Sequence, residues 1–417
     1  MAALAIDGGP PVRRDPFPPR VQIGQEELEA ATRVLRASME GPERLFRYAG
    51  EEADSLEREW AESHGVRYAA AVSSGTAAVH TALAAGMLDA GSEVITPPVT
   101  DPGGVNPILF QHLIPIFADL DPDTFNLDPA SIEERITERT RAIIAVHLAG
   151  QPCDMDAIME LAEQHDLLVI EDCSQAHGAR YRGRLVGTIG HLGAFSLMGG
   201  KHLTAGGEGG VVLTNDEELY WNAKRFADKG KGFNLADQRN VVLGLNYRIT
   251  ELQAAIGREQ LKKLPDIVAK RRALANRLRE GMAGLTSVHF WKIIEGAEPS
   301  YWFCFLRLDS DGLCVSKERF AEAVRAEGVP LGGHYSWLLY DFPYFQERAT
   351  FGASGAPWTC FEHSRDLDYR GSCPNAEQAI ARHMTLHLHE CWTEREVDDT
   401  VAALAKVERH YARSGPA

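Results

Sequence analysis

The feature that most constrains the fold is an alternation of short apolar runs with amphipathic stretches between about Arg67 and Thr214. Short apolar runs suit strands buried on both faces of a parallel sheet, and the stretches between them have the 3.6-residue period of helices. The predicted strands are Tyr68–Val72, Glu93–Thr96, Ile114–Ala118, Ala142–His147, Leu167–Glu171, Ala194–Leu197 and Gly210–Leu213, and the helices between them include Thr76–Gly86 and Met155–His165. The pattern predicts an α/β protein with a mostly parallel seven-stranded sheet between helices.

The remainder of the chain predicts a smaller α+β domain at the C-terminal end. A helix over Ile249–Leu264 is expected to be interrupted at Pro265 and to continue as a basic amphipathic helix over Ile267–Met282. Later predicted elements are the strand Tyr301–Leu308, the helices Lys317–Glu327 and Glu394–Tyr411, and the loops Thr350–Pro357 and Asp366–Pro374. The 417 residues, 44% of them hydrophobic, are enough for a large domain over 1–265, with an N-terminal arm, and a small domain over 266–417.

Charge and cysteine usage exclude several classes of partner. The formal net charge is −16, and no basic run interrupts the chain, so nucleic acid and anionic membrane surfaces are not expected partners. Neither a secretory signal nor an apolar stretch of membrane-helix length is recognisable, which predicts a cytoplasmic protein. The 7 cysteines are scattered without a CxxC pair, so reduced thiols are expected and no metal site is predicted.

The first segment with a candidate catalytic residue is Phe195–Gly210, which places Lys201 after a strand and inside a glycine-rich turn. A flexible backbone suits an amine that must swing between covalent attachment and proton transfer. A surface lysine in a loop is the alternative interpretation.

The second segment, Leu167–Gly178, is an apolar strand that ends in the carboxylates Glu171 and Asp172. Ligands of open α/β sheets bind at the carboxyl ends of the strands. A carboxylate there can keep a pyridine nitrogen protonated, and a protonated ring is the better electron sink. The alternative is an acid that only caps the turn after the strand.

The third segment, Ser73–Ala78, connects a predicted strand to a helix through small residues. Backbone N–H groups at the helix N-terminus, together with the hydroxyls of Ser74 and Thr76, suit a phosphate dianion. A plain N-cap and turn is the alternative.

These segments, in this order, resemble the sugar aminotransferase family often called DegT/DnrJ/EryC1/StrS, of pyridoxal-phosphate (PLP) fold type I. The resemblance covers roughly Ile23 to Ala405. It also includes Val146–Gly150 and the run Leu245–Ala255.

The resemblance implies a role for each matching position. Lys201 matches the lysine that forms the Schiff base with PLP, Asp172 the partner of the pyridine nitrogen, and Gln175 the polar residue near the phenolic oxygen. Phosphate contacts of one subunit are implied at Gly75, Thr76 and Ser196. Asn246 resembles the asparagine that reaches the phosphate of the neighbouring subunit's cofactor, which implies a homodimer with shared active sites; Arg248 in the same turn is a weaker candidate.

One position departs from the family pattern. Many members carry an aromatic residue that stacks on the pyridine ring, and this sequence has Asp101 there. His147 and His202 are candidates for a place near the site, although each is also consistent with a structural histidine. Tyr335, in a segment that resembles the part of the small domain closing over the site, is a candidate for substrate selection or for packing.

The implied reaction transfers an amino group from L-glutamate or L-glutamine, through PLP and its pyridoxamine form (PMP), to a ketone on a sugar or cyclitol ring, as in aminoglycoside-type secondary metabolism. A sugar 3-dehydratase of the same family is disfavoured because a histidine replaces the lysine in those relatives, whereas an aminobenzoate-forming synthase stays open. A non-catalytic regulator is disfavoured by the intact Lys201 and Asp172. A nicotinamide-dependent oxidoreductase would need a GxGxxG loop after the first strand, and Val72–Ala77 is not one.

Overall fold

The computed structural model describes residues 3–41, 45, 50–363 and 367–412. The strands within these ranges are β1 (Tyr68–Val72), β2 (Glu93–Thr96), β3 (Ile114–Phe117), β4 (Thr140–Val146), β5 (Leu168–Asp172), β6 (Arg180–Tyr181), β7 (Arg184–Leu185), β8 (Leu192–Ser196), β9 (Gly210–Thr214), β10 (Val288–Phe290), β11 (Ala297–Glu298), β12 (Cys304–Leu308), β13 (Leu331–Gly332) and β14 (His383–Leu386). The helices are α1 (Gln25–Glu40), α2 (Glu52–His64), α3 (Gly75–Ala85), α4 (Asn106–Phe110), α5 (Pro129–Arg135), α6 (Met155–His165), α7 (Glu217–Ala227), α8 (Glu251–Gly281), α9 (Lys317–Ala326), α10 (Pro343–Gln346), α11 (Pro374–Arg382) and α12 (Glu394–Tyr411).

The large sheet has seven strands in the order β1-β9-β8-β5-β4-β2-β3. Strand β9 is antiparallel to both of its neighbours, and the pairs from β8 to β3 are parallel. Six strands therefore point the same way, and their carboxyl ends meet at one edge. The predicted α/β sheet is confirmed.

The predicted strand bounds agree with the structure to within about two residues, except at Tyr301. Residues Ser300 and Trp302 donate backbone N–H bonds to Gly150 and Ala149, in the turn after β4. Because this segment is bonded to the large domain, β12 starts only at Cys304.

The interruption predicted at Pro265 is wrong, because α8 runs through it as one helix. Its first half forms ion pairs from Arg258 to α2 and from Lys263 to α1, and its second half pairs Arg277 with α12. The ion pairs on both sides of Pro265 offset the free energy lost with the helix hydrogen bond that the proline nitrogen cannot donate. The predicted boundary at 265 falls inside this helix and stays a prediction.

The C-terminal part contains a four-stranded antiparallel sheet in the order β10-β12-β14-β13, with α9 and α12 packed together beside it. The predicted loop Thr350–Pro357 contains only a short 3-10 turn, Gly352–Ser354. Of the other predicted loop, Asp366 lies outside the described residues, and Pro374 already begins α11. Among the described helices, none combines the length and the apolar character needed to span a membrane.

Candidate active site

A cavity of about 230 Å³ lies at the edge where the six parallel strands end. The residues that line it come from the loops after β1, β2, β5 and β8 and from the turn before β9. They are Ser74, Gly75, Thr76, Val79, Asp101, Gly103, Gly104, Asp172, Ser174, Gln175, Ser196, Met198, Lys201 and Glu208. The predicted cofactor residues of one subunit thus converge on a single site.

One end of the cavity is formed by the N-terminus of α3. Ser74 is the N-cap, and its Oγ accepts the N–H of Ala77 at 3.1 Å, while the first-turn N–H groups of Gly75 and Thr76 have no partner within the helix. A Cβ on Gly75 would lie 2.5 Å from Cβ of Ser196, so only glycine allows this approach. The helix dipole, the free N–H groups and the two nearby hydroxyls together suit a phosphate.

The carboxylate of Asp172 lies at the carboxyl end of β5 and is 5% exposed. Its Oδ1 accepts the N–H of Ser174 at 3.0 Å. Burial raises the pKa of Asp172, and the hydrogen bonds from Ser174 and the charge of Lys201 oppose that rise. Since the buried charge is costly, a cationic N–H group placed against this carboxylate would stabilise it.

The side chain of Lys201 is buried, with 6% of the residue exposed. Burial lowers the pKa of the amine to about 8, despite the opposing charges of Asp172, Asp101 and Glu208. Its Nζ lies 3.7 Å from the centre of the Trp302 ring. A substantial fraction of the amine is therefore neutral and nucleophilic near neutral pH.

Gln175 connects the cavity to the C-terminal part of the chain. Its Oε1 accepts the N–H of Ala149 at 2.8 Å, and its Nε2 donates to the hydroxyl of Tyr335 at 2.7 Å. Tyr335 itself is buried against Phe303 and His334. The tyrosine thus positions Gln175 and is one residue removed from the cavity.

The structure does not bring His147 to the cavity. Its ring is fully buried, Nε2 lies 2.9 Å from Oε2 of Glu171, and Nδ1 accepts the N–H of Cys153 at 3.0 Å. Glu171 also accepts backbone N–H groups of the 187–190 turn. Because side chains alternate along a strand, Glu171 and Asp172 face opposite sides of the sheet, and His147 belongs to the structural side.

His202 also lies outside the cavity lining. It is fully buried beside His177, and its Nε2 bonds to the carbonyl of Ser300 at 3.0 Å. Burial lowers the pKa of His202 well below its usual value. His202 is therefore a neutral, packed histidine and not a residue that contacts the substrate from the cavity lining.

Asn246 and Arg248 do not line the cavity of their own chain. Asn246 is exposed, and Arg248 forms an ion pair with Asp228 beside a separate pocket. Neither residue reaches the cofactor cavity of its own subunit.

Three residues that the motifs did not reveal surround Lys201. Arg20 donates to the carbonyl oxygens of Lys201, at 2.6 Å, and of His202, at 2.8 Å, and Gln22 donates to the first of these at 2.9 Å. The indole N–H of Trp302 donates to the carbonyl of Gly200 at 2.8 Å. The N-terminal arm and the segment before β12 thus hold the turn that carries the lysine, and their large sequence separation explains why no local motif indicates them.

A buried amine of lowered pKa, a buried carboxylate and a phosphate cradle in one cavity fit PLP, which offers an aldehyde, a pyridine nitrogen and a phosphate. The fit rests on the close approach at Gly75 and on the charge of Asp172, which lacks a fixed cation other than Lys201 among the described cavity residues. On this α/β scaffold, the fold and the site define a PLP-dependent enzyme of fold type I.

Comparison with known proteins identifies the family. Residues 21–405 match the model of the DegT/DnrJ/EryC1/StrS aminotransferase family, and the chain belongs to it. It is 34% identical to a putative L-glutamine:3-amino-2,3-dideoxy-scyllo-inosose aminotransferase of Streptoalloteichus tenebrarius and 36% identical to an L-glutamine:2-deoxy-scyllo-inosose aminotransferase of Micromonospora echinospora, with 98% of each chain covered in both cases. The crystal structure of an aminotransferase from Psychrobacter cryohalolentis superimposes with a TM-score of 0.83 at 35% identity, over 95% of this chain and 100% of that one.

These findings confirm the predicted family, the PLP fold type I architecture, the assignment as an aminotransferase and PLP as the cofactor. The prediction of an aminotransferase for a ring ketone of a sugar or cyclitol agrees with the names of the relatives. The roles of individual residues are inferences from the geometry above.

Proposed function

We propose that the protein transfers the amino group of L-glutamine, through PLP bound at Lys201, to the ketone of a cyclitol ring in aminoglycoside-type biosynthesis. The observation that carries the proposal is the convergence of Lys201, Asp172 and the N-terminus of α3 on one cavity. Two relatives that cover nearly the whole chain are named as L-glutamine-dependent aminotransferases of such ketones.

When bound, PLP supplies an electron sink that makes a proton on the amine-bearing carbon of the donor removable. Asp172 would hold the pyridine N–H, because the two opposite charges stabilise each other in a buried place. Gly75, Thr76 and Ser196 would bind the phosphate, and Gln175 would orient the ring near its phenolic oxygen. Lys201 would hold and release the migrating proton at its Nζ, which a pKa of about 8 permits near neutrality.

The lining of the cavity supports L-glutamine over L-glutamate as donor. Its ionisable residues, within the described part of the chain, are Asp101, Asp172, Glu208 and Lys201. Because Asp172 would be paired with the pyridine nitrogen, the carboxylates of Asp101 and Glu208 remain to repel a second carboxylate on the donor, whereas the side-chain amide of glutamine is neutral.

We also propose a homodimer with shared active sites. Asn246 is exposed and adjoins a loop in which Leu243 is 93% and Leu245 44% exposed. An exposed apolar loop beside a polar side chain suits an interface with a second subunit, whose cofactor phosphate Asn246 would reach. Cytoplasmic location stays a prediction from the sequence.

Absorption spectroscopy tests the catalytic assignment. With PLP, the wild-type protein is expected to show a band near about 420 nm that bleaches towards about 330 nm when L-glutamine is added. The Lys201→Ala variant should lack the first band. A wild-type protein that binds PLP but does not bleach with either L-glutamine or L-glutamate would contradict the proposal and favour a non-catalytic role.

Mixing two inactive variants tests the shared site. Lys201→Ala and Asn246→Ala homodimers should each be impaired, and subunit exchange should restore activity, because a mixed dimer contains one site with both residues intact. An Arg239→Ala variant, changed at an exposed residue of the preceding loop, serves as a control that needs no partner for activity. Absence of recovery after proven subunit exchange would refute sharing.

A further inference from the structure

The amine of Lys201 has an aromatic partner in Trp302. Its Nζ lies 3.7 Å from the centre of the indole ring, which is the geometry of a cation–π contact. Within the described part of the chain, Nζ forms no ion pair or hydrogen bond with a side chain. The carboxylates of Asp172, Asp101 and Glu208 act on the amine through their charge, without a direct contact. The face of the indole is therefore the group that touches this buried amine.

Other contacts hold the indole of Trp302 in place. Its ring N–H donates to the carbonyl of Gly200 at 2.8 Å, and its backbone N–H donates to the carbonyl of Ala149 at 2.9 Å. Its backbone carbonyl accepts a hydrogen bond at 3.1 Å from Arg271, whose side chain is fully buried. The orientation of the ring is thus set at the backbone and at the indole edge, which leaves the face for the amine.

One ion network holds both the ring and the lysine. Glu390 pairs with Arg271 at 2.7 Å and with Arg20 at 2.8 Å. Arg271 bonds to the carbonyl of Trp302, and Arg20 bonds to the carbonyl of Lys201. Because the two arginines share one carboxylate, the backbone positions of the tryptophan and the lysine are fixed relative to each other.

The ring favours one protonation state of the amine. The negative face of an indole attracts an ammonium group and has no comparable attraction for a neutral amine. Burial by itself disfavours the ammonium form of Lys201, and the charge of Asp172 is assigned to the pyridine nitrogen. The face of Trp302 carries no proton to lose, so it offsets the cost of burial at every pH.

We propose that the indole face of Trp302 holds the ammonium form of Lys201 after the amine has taken the proton from the donor carbon, which makes Trp302 a further positioning residue of the reaction. The inference deepens the proposed function and rests on it for the role of Lys201. In this step a C–H bond of the donor breaks and an N–H bond forms at Nζ, while the electron pair of the broken bond passes into the electron sink that PLP supplies. The proton leaves Nζ again when it is delivered.

Two imidazoles near the amine do not titrate in the same range. Burial, and then the charge of Lys201, lower the pKa of His177 to about 3 and that of His334 below its usual value. Both side chains are neutral near pH 8. A titration observed there belongs to the amine.

The test titrates the amine in the full-length apoenzyme, without any catalysis. Trace labelling with acetic anhydride from about pH 6 to about pH 11 modifies neutral amines, and mass spectrometry of the peptide that contains Lys201 gives its reactivity at each pH. The main substitution places tetrafluorotryptophan at position 302, which weakens the negative face but keeps the size of the ring and its N–H donor. Trp302→Phe keeps a face without the N–H, and Trp302→Leu removes both.

Trp221 provides the matched control. It is half-buried on α7 beside Tyr220 and does not line the cavity. The same fluorinated residue at position 221, and Trp221→Leu, should leave the titration of Lys201 unchanged.

The midpoint is expected near pH 8 in the wild type and about one pH unit lower with tetrafluorotryptophan at position 302, a tenfold change in the acid constant. Trp302→Phe should fall between the wild type and Trp302→Leu. A role limited to the hydrogen bond with Gly200 would instead shift Phe and Leu equally and leave the fluorinated protein unchanged. An unchanged or raised midpoint in the fluorinated protein would overturn the proposal.

A second measurement connects the contact to the reaction. In the holoenzyme, the pH profile of the bleaching rate with saturating L-glutamine should move to lower pH in the fluorinated protein, because the same amine must be neutral to take the proton. A profile that stays in place while the labelling midpoint moves would overturn the role of the ring in the reaction. If L-glutamine fails to bleach the PLP band of the wild type, the proposed function fails, whereas the labelling midpoint still decides whether the ring holds the ammonium.

Discussion

The lowered pKa of Lys201 predicts how the apoenzyme captures PLP as pH changes. Only the neutral amine attacks the aldehyde, and burial disfavours the ammonium form. The rate of covalent capture should therefore rise with pH through about 8 and level off above it. For a lysine with the ordinary pKa of 10.5, the rate of capture would still be rising above pH 8.

The size of the effect follows from the shift. At pH 7, a pKa of about 8 leaves about 10% of the amine neutral, against about 0.03% for an ordinary lysine. The buried site thus contributes a gain of about 300-fold in reactive amine, which corresponds to about 3 kcal/mol. Because Asp172 raises the pKa of Lys201, Asp172→Asn should move the midpoint to lower pH.

Stopped-flow absorbance near about 420 nm, on mixing apoenzyme with PLP from pH 6 to 10, measures the capture rate. PLP itself titrates in this range, so each rate is divided by that of Nα-acetyl-lysine with PLP at the same pH. Lys201→Arg should show no capture. The normalised rate should be constant below about pH 8 and fall above it, where only the free lysine still gains neutral amine. A normalised rate that stays constant from pH 6 to 10, or a midpoint that rises in Asp172→Asn, would refute the reasoning.

Two further predictions concern packing and buried charge. Gly75→Ala should lower the free energy of unfolding by about 1–3 kcal/mol and weaken PLP binding, because its Cβ would lie 2.5 Å from Cβ of Ser196. Urea denaturation measures the stability, and titration with PLP measures the binding. The control Gly284→Ala, whose Cβ would meet nothing within 4 Å, should change neither quantity. Glu171→Gln should destabilise the fold by about 3 kcal/mol, because the carboxylate accepts three backbone N–H groups and lies against His147, and an amide cannot accept them all. Unchanged melting of Glu171→Gln would show that these bonds are replaced by others.

Local sequence patterns were sufficient for much of this protein. Apolar runs marked the strands of the sheet, and the rule that ligands bind at the carboxyl ends of parallel strands placed the pair Glu171 and Asp172 at the site. The family resemblance then assigned Asp172, Thr76 and Lys201 their roles. The same patterns could not decide between Glu171 and Asp172 or assign His147. That choice depends on which face of the sheet each side chain takes and on what packs there.

The tertiary structure alone decided the contacts between distant parts of the chain. Arg20 holds the carbonyl of Lys201 from 181 residues away, and Trp302 and Tyr335 approach the site from the C-terminal part. Helix α8 continues through Pro265 because ion pairs to distant helices hold both of its halves. Composition and periodicity indicate the secondary structure that a segment prefers by itself. Packing and ion pairs from distant segments determine where that preference is overridden and which side chains surround the reactive amine.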